Sequence, residues 1–470
     1  MDGLECSVIY RSSLNCELRI DSEYHKKRFL QDDSSIHKYH TVLIGAIATV
    51  SDGQHGYHEE DASSPIHMLT AKNTKDWFAN LVDTIRIAKW VDDNNKRSSL
   101  SVDDIILSTR GTVGKCALVK ADILPANLDQ DVARISFTNA QIAPAFVLCY
   151  LNSIFGQDWM VRNQTGMVQQ GLSLEKVRQI PIPQMSITFQ DKICEIVENA
   201  FARKKESVWS YDAANRILDD MIGIKDLCAT TISKKSFFQS FVKTGRLDAE
   251  YYQPKYDILF DELKKFSCKR LGGPNGIINI KKSIEPGSEA YTEDGIPFVR
   301  VSDISKFGIS EPDIKLRSDI IPNPEVLFPP KDTILLSKDG SVGIAYKVEA
   351  TMPIITSGAL LHLKVRDKTE VLPDYLTLVL NSPVVQLQAE RDSNGAIIQH
   401  WKPSEIENVI IPILDMDTQK EIAAKVQEAF TLRKQTKQLL EYAKQAVEMA
   451  IEQGEDVALA WLKDKIPVEV

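Results

Sequence analysis

Asp103-Asp104-Ile105-Ile106-Leu107-Ser108-Thr109-Arg110-Gly111-Thr112-Val113-Gly114-Lys115 returns 229 residues later as Asp332-Thr333-Ile334-Leu335-Leu336-Ser337-Lys338-Asp339-Gly340-Ser341-Val342-Gly343-Ile344. Working outward, Leu151-Asn152-Ser153 recurs as Leu380-Asn381-Ser382, Gly166 as Gly395, Ile182-Pro183 as Ile411-Pro412, and Gln190 as Gln419. Upstream, Arg19-Ile20-Asp21-Ser22-Glu23-Tyr24 returns as Arg246-Leu247-Asp248-Ala249-Glu250-Tyr251, now at an offset of 227. Chance explains one shared tripeptide, not collinear matches at a near-constant offset. A unit of roughly 200 residues is present twice, a period far beyond the ~20–50 residues of solenoid arrays.

Each copy opens with short apolar runs, such as Ile105–Ser108, Cys116–Val119, Pro297–Val301 and Thr333–Leu336, broken by Gly, Pro, Asp and Asn. That pattern predicts strands. The segments Pro144–Leu151 and Pro373–Leu380 follow, with proline placed for a first helical turn. Each copy then ends in a long helical pattern. Ile193, Val197, Ala200, Lys204, Ser207, Tyr211, Ala214, Leu218 and Met221 step by four and three. Ile422, Val426, Ala429, Arg433, Thr436, Leu440, Ala443, Val447 and Ala450 step identically. A 3.5-residue period is a coiled-coil seam, and its polar members weaken the middle while fixing register. About 35 helical residues make a rod of roughly 50 Å. The alternative is an amphipathic helix packed on its own globule. Two matching helices favour mutual pairing, with Thr188 and Asp417 as N-cap candidates.

The 470 residues suit several domains, and 43% hydrophobic with 26% charged residues is ordinary globular composition. The net charge of −9 disfavours a protein that coats DNA indiscriminately, but says nothing against local groove contacts. Seven scattered cysteines without a C-x-x-C pair read as reduced thiols, not as a disulfide framework or zinc site. The N-terminal residues lack a signal-peptide core, and the longest apolar stretches are about half of the ~20 residues a membrane span needs. A soluble, cytoplasmic protein is expected.

Catalytic constellations are missing from the sequence. Gly111-Thr112-Val113-Gly114-Lys115-Cys116 departs from the Walker A spacing, and the second copy carries Ile344 in place of Lys115. A tight turn with glycines at positive φ is the simpler reading. The alternative aims its N–H groups, Arg110 and Lys115 at a DNA phosphate. His55, His58, Glu59, Glu60 and Asp61 lie in a turn-like stretch with no counterpart in the second copy, and read as a solvated loop. No nucleophile elbow and no dinucleotide fingerprint is present. Two copies without a catalytic motif indicate a binding protein.

On these runs the chain resembles a specificity subunit of a type I restriction–modification system. The resemblance covers about residues 17–450. It rests on Arg246–Tyr252, on the repeated run quoted first, on Gln130-Asp131-Val132-Ala133-Arg134-Ile135 and on Asp52-Gly53-Gln54-His55, followed in order by the helices. Where that family often closes its recognition domain on Glu-Gln, only Gln190 and Gln419 stand here.

The resemblance implies an α+β fold. Two mixed α/β target-recognition domains, residues 1–185 and 246–414, are joined by two long antiparallel helices in a pseudo-two-fold repeat. A central conserved helical region spans 186–245 and a distal one 415–470. It implies that each domain reads one half of a bipartite site on double-stranded DNA. Two methyltransferase subunits dock on the helices, and restriction or translocase subunits join them, as in phage defence. S-adenosylmethionine is expected in the methyltransferase, with no cofactor or metal in this chain, which is then not an enzyme. The competing reading is a coiled-coil scaffold that joins two protein-binding globules and never meets DNA.

Residues 1–185 carry 19 Lys/Arg against 22 Asp/Glu, and residues 246–405 carry 20 against 23. Neither has a basic field for strong counterion release, so weak DNA binding by the lone chain is expected. Arg and Lys suit guanine, Asn and Gln suit adenine. Lys72, Asn73, Arg110, Thr112, Lys115, Gln169 and Gln170 are therefore the DNA-contact candidates of the first copy. Arg300, Ser302, Lys338, Ser341 and Gln399 are those of the second, and His400-Trp401 is read as packing.

Overall fold

Alternating strand residues divide the core. In a computed structural model, residues 6–11, 19–56, 58–138, 142–166, 171–223, 232–393 and 399–466 are described. The chain forms two compact units, residues 1–204 with 434–470, and residues 205–433. In the first, an antiparallel sheet runs in the order Ala48–Asp52, Val132–Phe137, Ile105–Ser108, Cys116–Leu118. Ile105 and Leu107 point into a core shared with Phe146, Leu148 and Leu151, while Ile106 points into a second core with Leu69 and Leu128. The sheet is covered on both faces, which is why these strands read as unbroken apolar runs.

The second unit repeats this arrangement. Its sheet runs Ile278–Lys282, Leu360–Val365, Ile334–Ser337, Ala345–Lys347, again antiparallel. Ile334 and Leu336 enter one core and Leu335 the other. The helices Pro144–Asn152 and Pro373–Asn381 begin on the expected prolines. A short ribbon closes each unit, Thr41–Leu43 against Pro181–Pro183 and Cys268–Arg270 against Ile410–Pro412. The fold is thus mixed helix and sheet, built twice.

Two helices of 36 and 38 residues, Ile187–Ile222 and Met416–Gln453, are about 54 and 57 Å long at ~1.5 Å per residue. In the first unit, Ile193, Val197 and Ala200 share a core with Leu440, Ala443 and Val447. In the second, Tyr211, Ala214 and Leu218 share one with Ile422, Val426 and Ala429. Thr436 Oγ1 donates to the Ala200 carbonyl at 3.3 Å in the first unit, and Ser207 Oγ to the Ala429 carbonyl at 2.8 Å in the second. Each bond is the 229-residue image of the other. Ser210 Oγ donates to Lys425 O at 3.0 Å, so residue numbers rise on one strand of the pair as they fall on the other, and the pairing is antiparallel.

Two expectations are corrected. Met221 is 44% exposed, and Ile222, at 2%, takes the last seam position, because the helical period has drifted by one residue there. The helix caps are Ser186 and Asp415, two residues before the expected ones. Ser186 Oγ accepts the Phe189 N–H at 3.2 Å, and Asp415 Oδ1 accepts those of Asp417 and Thr418 at 3.1 and 2.9 Å. The polar seam members are themselves bonded or stacked. Ser207 and Thr436 are buried and bonded, and the Arg433 guanidinium stacks 3.6 Å from the Phe307 ring centroid.

The copies differ at one core contact. In the first, Asp32 on helix Lys27–Ile36 meets Asp158 on helix Ile154–Arg162, below the fully buried Tyr150. Leu259, Leu387 and Val379 hold these three positions in the second copy. Burial and the neighbouring Asp158 push the Asp32 carboxyl up to about 6, against Arg28, which lies 3.4 Å from Asp158. A carboxyl that binds its proton more tightly folded than unfolded stabilises fully below the unfolded value of 3.8, and that stabilisation is lost as pH rises to about 6. After discounting for its partial exposure this is about 1–2 kcal/mol. The double variant Asp32→Leu/Asp158→Leu, which copies the second unit, is expected to remove this fall in stability between pH 4 and 6, as measured by denaturant unfolding across that range.

Candidate nucleic-acid interface

At the end of each central strand the chain turns back through two glycines. Ser108 and Lys115 bond across the first turn, with Ser108 N donating to Lys115 O and Gly114 N to Ser108 O, each at 2.9 Å. Ser337 and Ile344 do the same in the second, at 3.0 Å and, from Gly343 N, 2.9 Å. Gly111 and Gly114 sit at φ +72° and +88°, Gly340 and Gly343 at +74° and +87°, where side chains with a Cβ are strained. The tight-turn reading of these glycines therefore holds.

A half-buried amide anchors each turn to the helix behind it. Gln157 Nε2 donates to the carbonyls of Gly114 and Leu151 at 2.9 and 2.6 Å, and Gln386 Nε2 to those of Gly343 and Leu380 at 2.8 and 2.9 Å. Asn152 and Asn381 make a second matched pair of bonds, to the carbonyls of Cys116 and Ala345. Gln190 and Gln419 tie the start of each long helix to its unit, accepting the Ala143 and Leu372 N–H groups at 2.9 and 3.0 Å. Asn152, Asn381, Gln190 and Gln419 were noticed in the sequence only as repeats, and Gln157 and Gln386 were passed over. Their role as side-chain clamps on backbone carbonyls needed coordinates.

The turn of the first copy gathers Arg110, Thr112 and Lys115, all exposed. Arg110 leans 3.4 Å from Asp131 Oδ1. The turn of the second gathers Lys338, Ser341 and Gln399, with Lys338 paired to Asp339. Gln399 is exposed and its carbonyl accepts the Gly340 N–H at 2.9 Å.

The other candidates sit elsewhere in each unit. Lys72 is exposed, 3.8 Å from Asp83. Asn73 is corrected: it is 1% exposed, accepts the Thr70 N–H at 2.8 Å and donates to Val82 O at 2.8 Å, so its amide is spent inside the fold. Asp303 repeats this cap in the second copy, accepting the Arg300 N–H at 2.8 Å and the Ser302 hydroxyl at 3.0 Å. Arg300 is half-buried beside it. Gln169 and Gln170 lie outside the described residues.

Two side chains were passed over in the sequence. Asp339 was quoted only as part of a run, and His400 was read as packing. Trp401 does pack, at 1% exposure, but His400 is out on the surface with Nδ1 2.8 Å from Asp339 Oδ1. Burial alone would raise the Asp339 carboxyl, but its hydrogen bonds to Lys338 and His400 outweigh it and hold the group below the usual carboxylate range. No run of residues signals this pair, because 61 positions separate its members.

What the turns offer chemically is recognition. Each presents cationic and hydroxyl donors on a backbone braced from behind, and no nucleophile with a base beside it. Among the described residues no cluster of His, Cys, Asp and Glu could hold a metal, and no helix is long and apolar enough to cross a membrane.

Comparison with known proteins bears on this geometry. Residues 273–442 match the family described as Type I restriction modification DNA specificity domain. Over 143 residues, 30% of the chain, the sequence is 29% identical to the type I restriction enzyme EcoBI specificity subunit of Escherichia coli, and the match spans 30% of that relative's length. Among solved structures, the S subunit of a type I restriction–modification system from M. genitalium aligns at 13% identity and a TM-score of 0.39, covering 88% of this chain and 95% of that one. The HsdS subunit of Thermoanaerobacter tengcongensis aligns at 13% identity and a TM-score of 0.28, covering 88% and 97%.

Removing either clamp leaves two carbonyls short of a donor. Gln157→Leu and Gln386→Leu are each expected to destabilise their own unit by about 1–3 kcal/mol, read by thermal unfolding. Faster amide exchange is expected at residues 111–115 or 340–344 respectively.

Proposed function

We propose that the chain is a specificity subunit of a type I restriction–modification system and reads a bipartite site on double-stranded DNA for a methyltransferase. Residues 1–185 and 246–414 act as the two readers, one per half-site. The helical regions 186–245 and 415–470 dock two methyltransferase subunits, which bind S-adenosylmethionine and perform the transfer. A restriction or translocase subunit joins the same assembly, in the cytoplasm. This chain supplies sequence choice and no bond-making step.

The observation that carries this reading is the repeated turn. Two copies hold one backbone with the same clamps yet expose different polar side chains on it. A duplicated scaffold with altered surface chemistry is what two half-sites of different sequence require. The near-neutral charge of each reader agrees with weak DNA binding by the free chain, the partners adding contacts to phosphate. The helices act as a ruler, and their length of more than 50 Å exceeds the ~34–36 Å of one DNA turn.

Methylation profiling of the host with and without the gene tests the reading. Adenine methylation at one bipartite motif is expected to vanish on deletion, whereas an unchanged methylome would favour the protein scaffold that never meets DNA. Exchanging residues 1–185 for a related module is expected to change one half of that motif. Inserting seven residues into each long helix is expected to change the spacer and leave both halves as they were.

A further inference from the structure

The bridge that closes each turn pairs Arg110 with Gly171 in the first copy and Asp339 with His400 in the second. These are equivalent positions, 229 residues apart, on backbones with matching hydrogen bonds. Leu172 N donates to Thr109 O at 2.9 Å, and Trp401 N to Lys338 O at 2.7 Å. The first copy therefore offers a guanidinium opposite a residue without a side chain. The second offers a carboxylate opposite an imidazole.

His400 is held from three sides. Buried Trp401 follows it, the Gln399 carbonyl before it is bonded to Gly340 N, and its Nδ1 meets Asp339. Asp339 is fixed in turn by Lys338. The His400 side chain is nevertheless 61% exposed. In a neutral imidazole, an Nδ1–H donated to a carboxylate leaves Nε2 as an acceptor. In the major groove, acceptors select the exocyclic amino groups of cytosine and adenine, whereas an arginine selects guanine.

We infer that His400, oriented by Asp339, is a base-reading residue of the second half-site, accepting through Nε2 from the amino group of a cytosine or adenine. This rests on the reading above that the turns face DNA. Asp339 is then a positioning residue, and Arg110 is the donor at the same place in the first copy. One scaffold thus reads opposite hydrogen-bond polarity at one position by exchanging the bridged pair.

The test uses the full chain assembled with its methyltransferase subunits, and duplexes in which each base pair of the bipartite site is varied in turn. His400→Ala is expected to lower discrimination about tenfold or more at one base pair of one half-site, with the other half and the melting temperature unchanged. His400→Gln is expected to restore a preference for adenine there, and Asp339→Asn to relax the same base pair as His400→Ala. Unaltered discrimination in His400→Ala, relaxation spread over both halves, or a uniform loss of affinity across all sequences would each overturn the inference. The last of these is the signature of a phosphate contact. An unsubstituted complex that methylates no bipartite site would instead overturn the parent reading, and the inference with it.

Discussion

A hydroxyl buried between two helices and bonded to a carbonyl on the neighbour is the constraint on which each unit depends. Ser207 Oγ needs the Ala429 carbonyl, and Thr436 Oγ1 needs that of Ala200. A side chain this short reaches a neighbouring backbone only if the axes lie close, and close approach requires small residues. Ala200, Ala214, Ala429 and Ala443, all fully buried, provide that clearance. A buried hydroxyl without a partner costs about 1–3 kcal/mol, so these bonds also penalise every other register. The polar seam positions thereby specify the pairing that the apolar ones stabilise.

The same economy governs the turns. Polar side chains inside each unit, Gln157, Asn152 and Gln190 with their counterparts, all donate to or accept from backbone that no strand or helix satisfies. Such groups bear little substitution, since each replacement orphans a buried carbonyl or N–H. The exposed neighbours Arg110, Lys115 and Ser341 answer to no such demand. Divergence between the copies accordingly collects on the outer face of the turn, where a recognition surface would draw its variety.

Core positions can diverge too when chemistry compensates. Asp32, Asp158 and Tyr150 stand where the other copy has Leu259, Leu387 and Val379. Arg162 pairs with Asp33 and stacks 4.1 Å from the Tyr24 ring centroid in the first copy, while Arg391 pairs with Asp392 at 2.7 Å and stacks 4.4 Å from the Phe260 ring centroid in the second. The guanidinium is kept with both a carboxylate and an aromatic partner while the position of the carboxylate changes, a combination that its planar, weakly hydrated charge permits.

The amino-acid sequence by itself determined the duplication, the strand runs and the spacing of the seam, because these are periodic and local, and periodicity survives in one dimension. It also placed Arg110, Thr112 and Lys115 on a turn, since glycine spacing encodes positive φ. Tertiary structure alone decided the rest. Asn73 became a buried cap instead of a surface contact because Val82 and Thr70 converge on it, and Ser186 and Asp415 displaced the expected caps because the helices start earlier than their apolar pattern. The pairing of Asp339 with His400 depended on a bridge closed across 61 residues. Contacts of that kind follow from how strands and helices fold back on one another, and no local pattern in the chain records them.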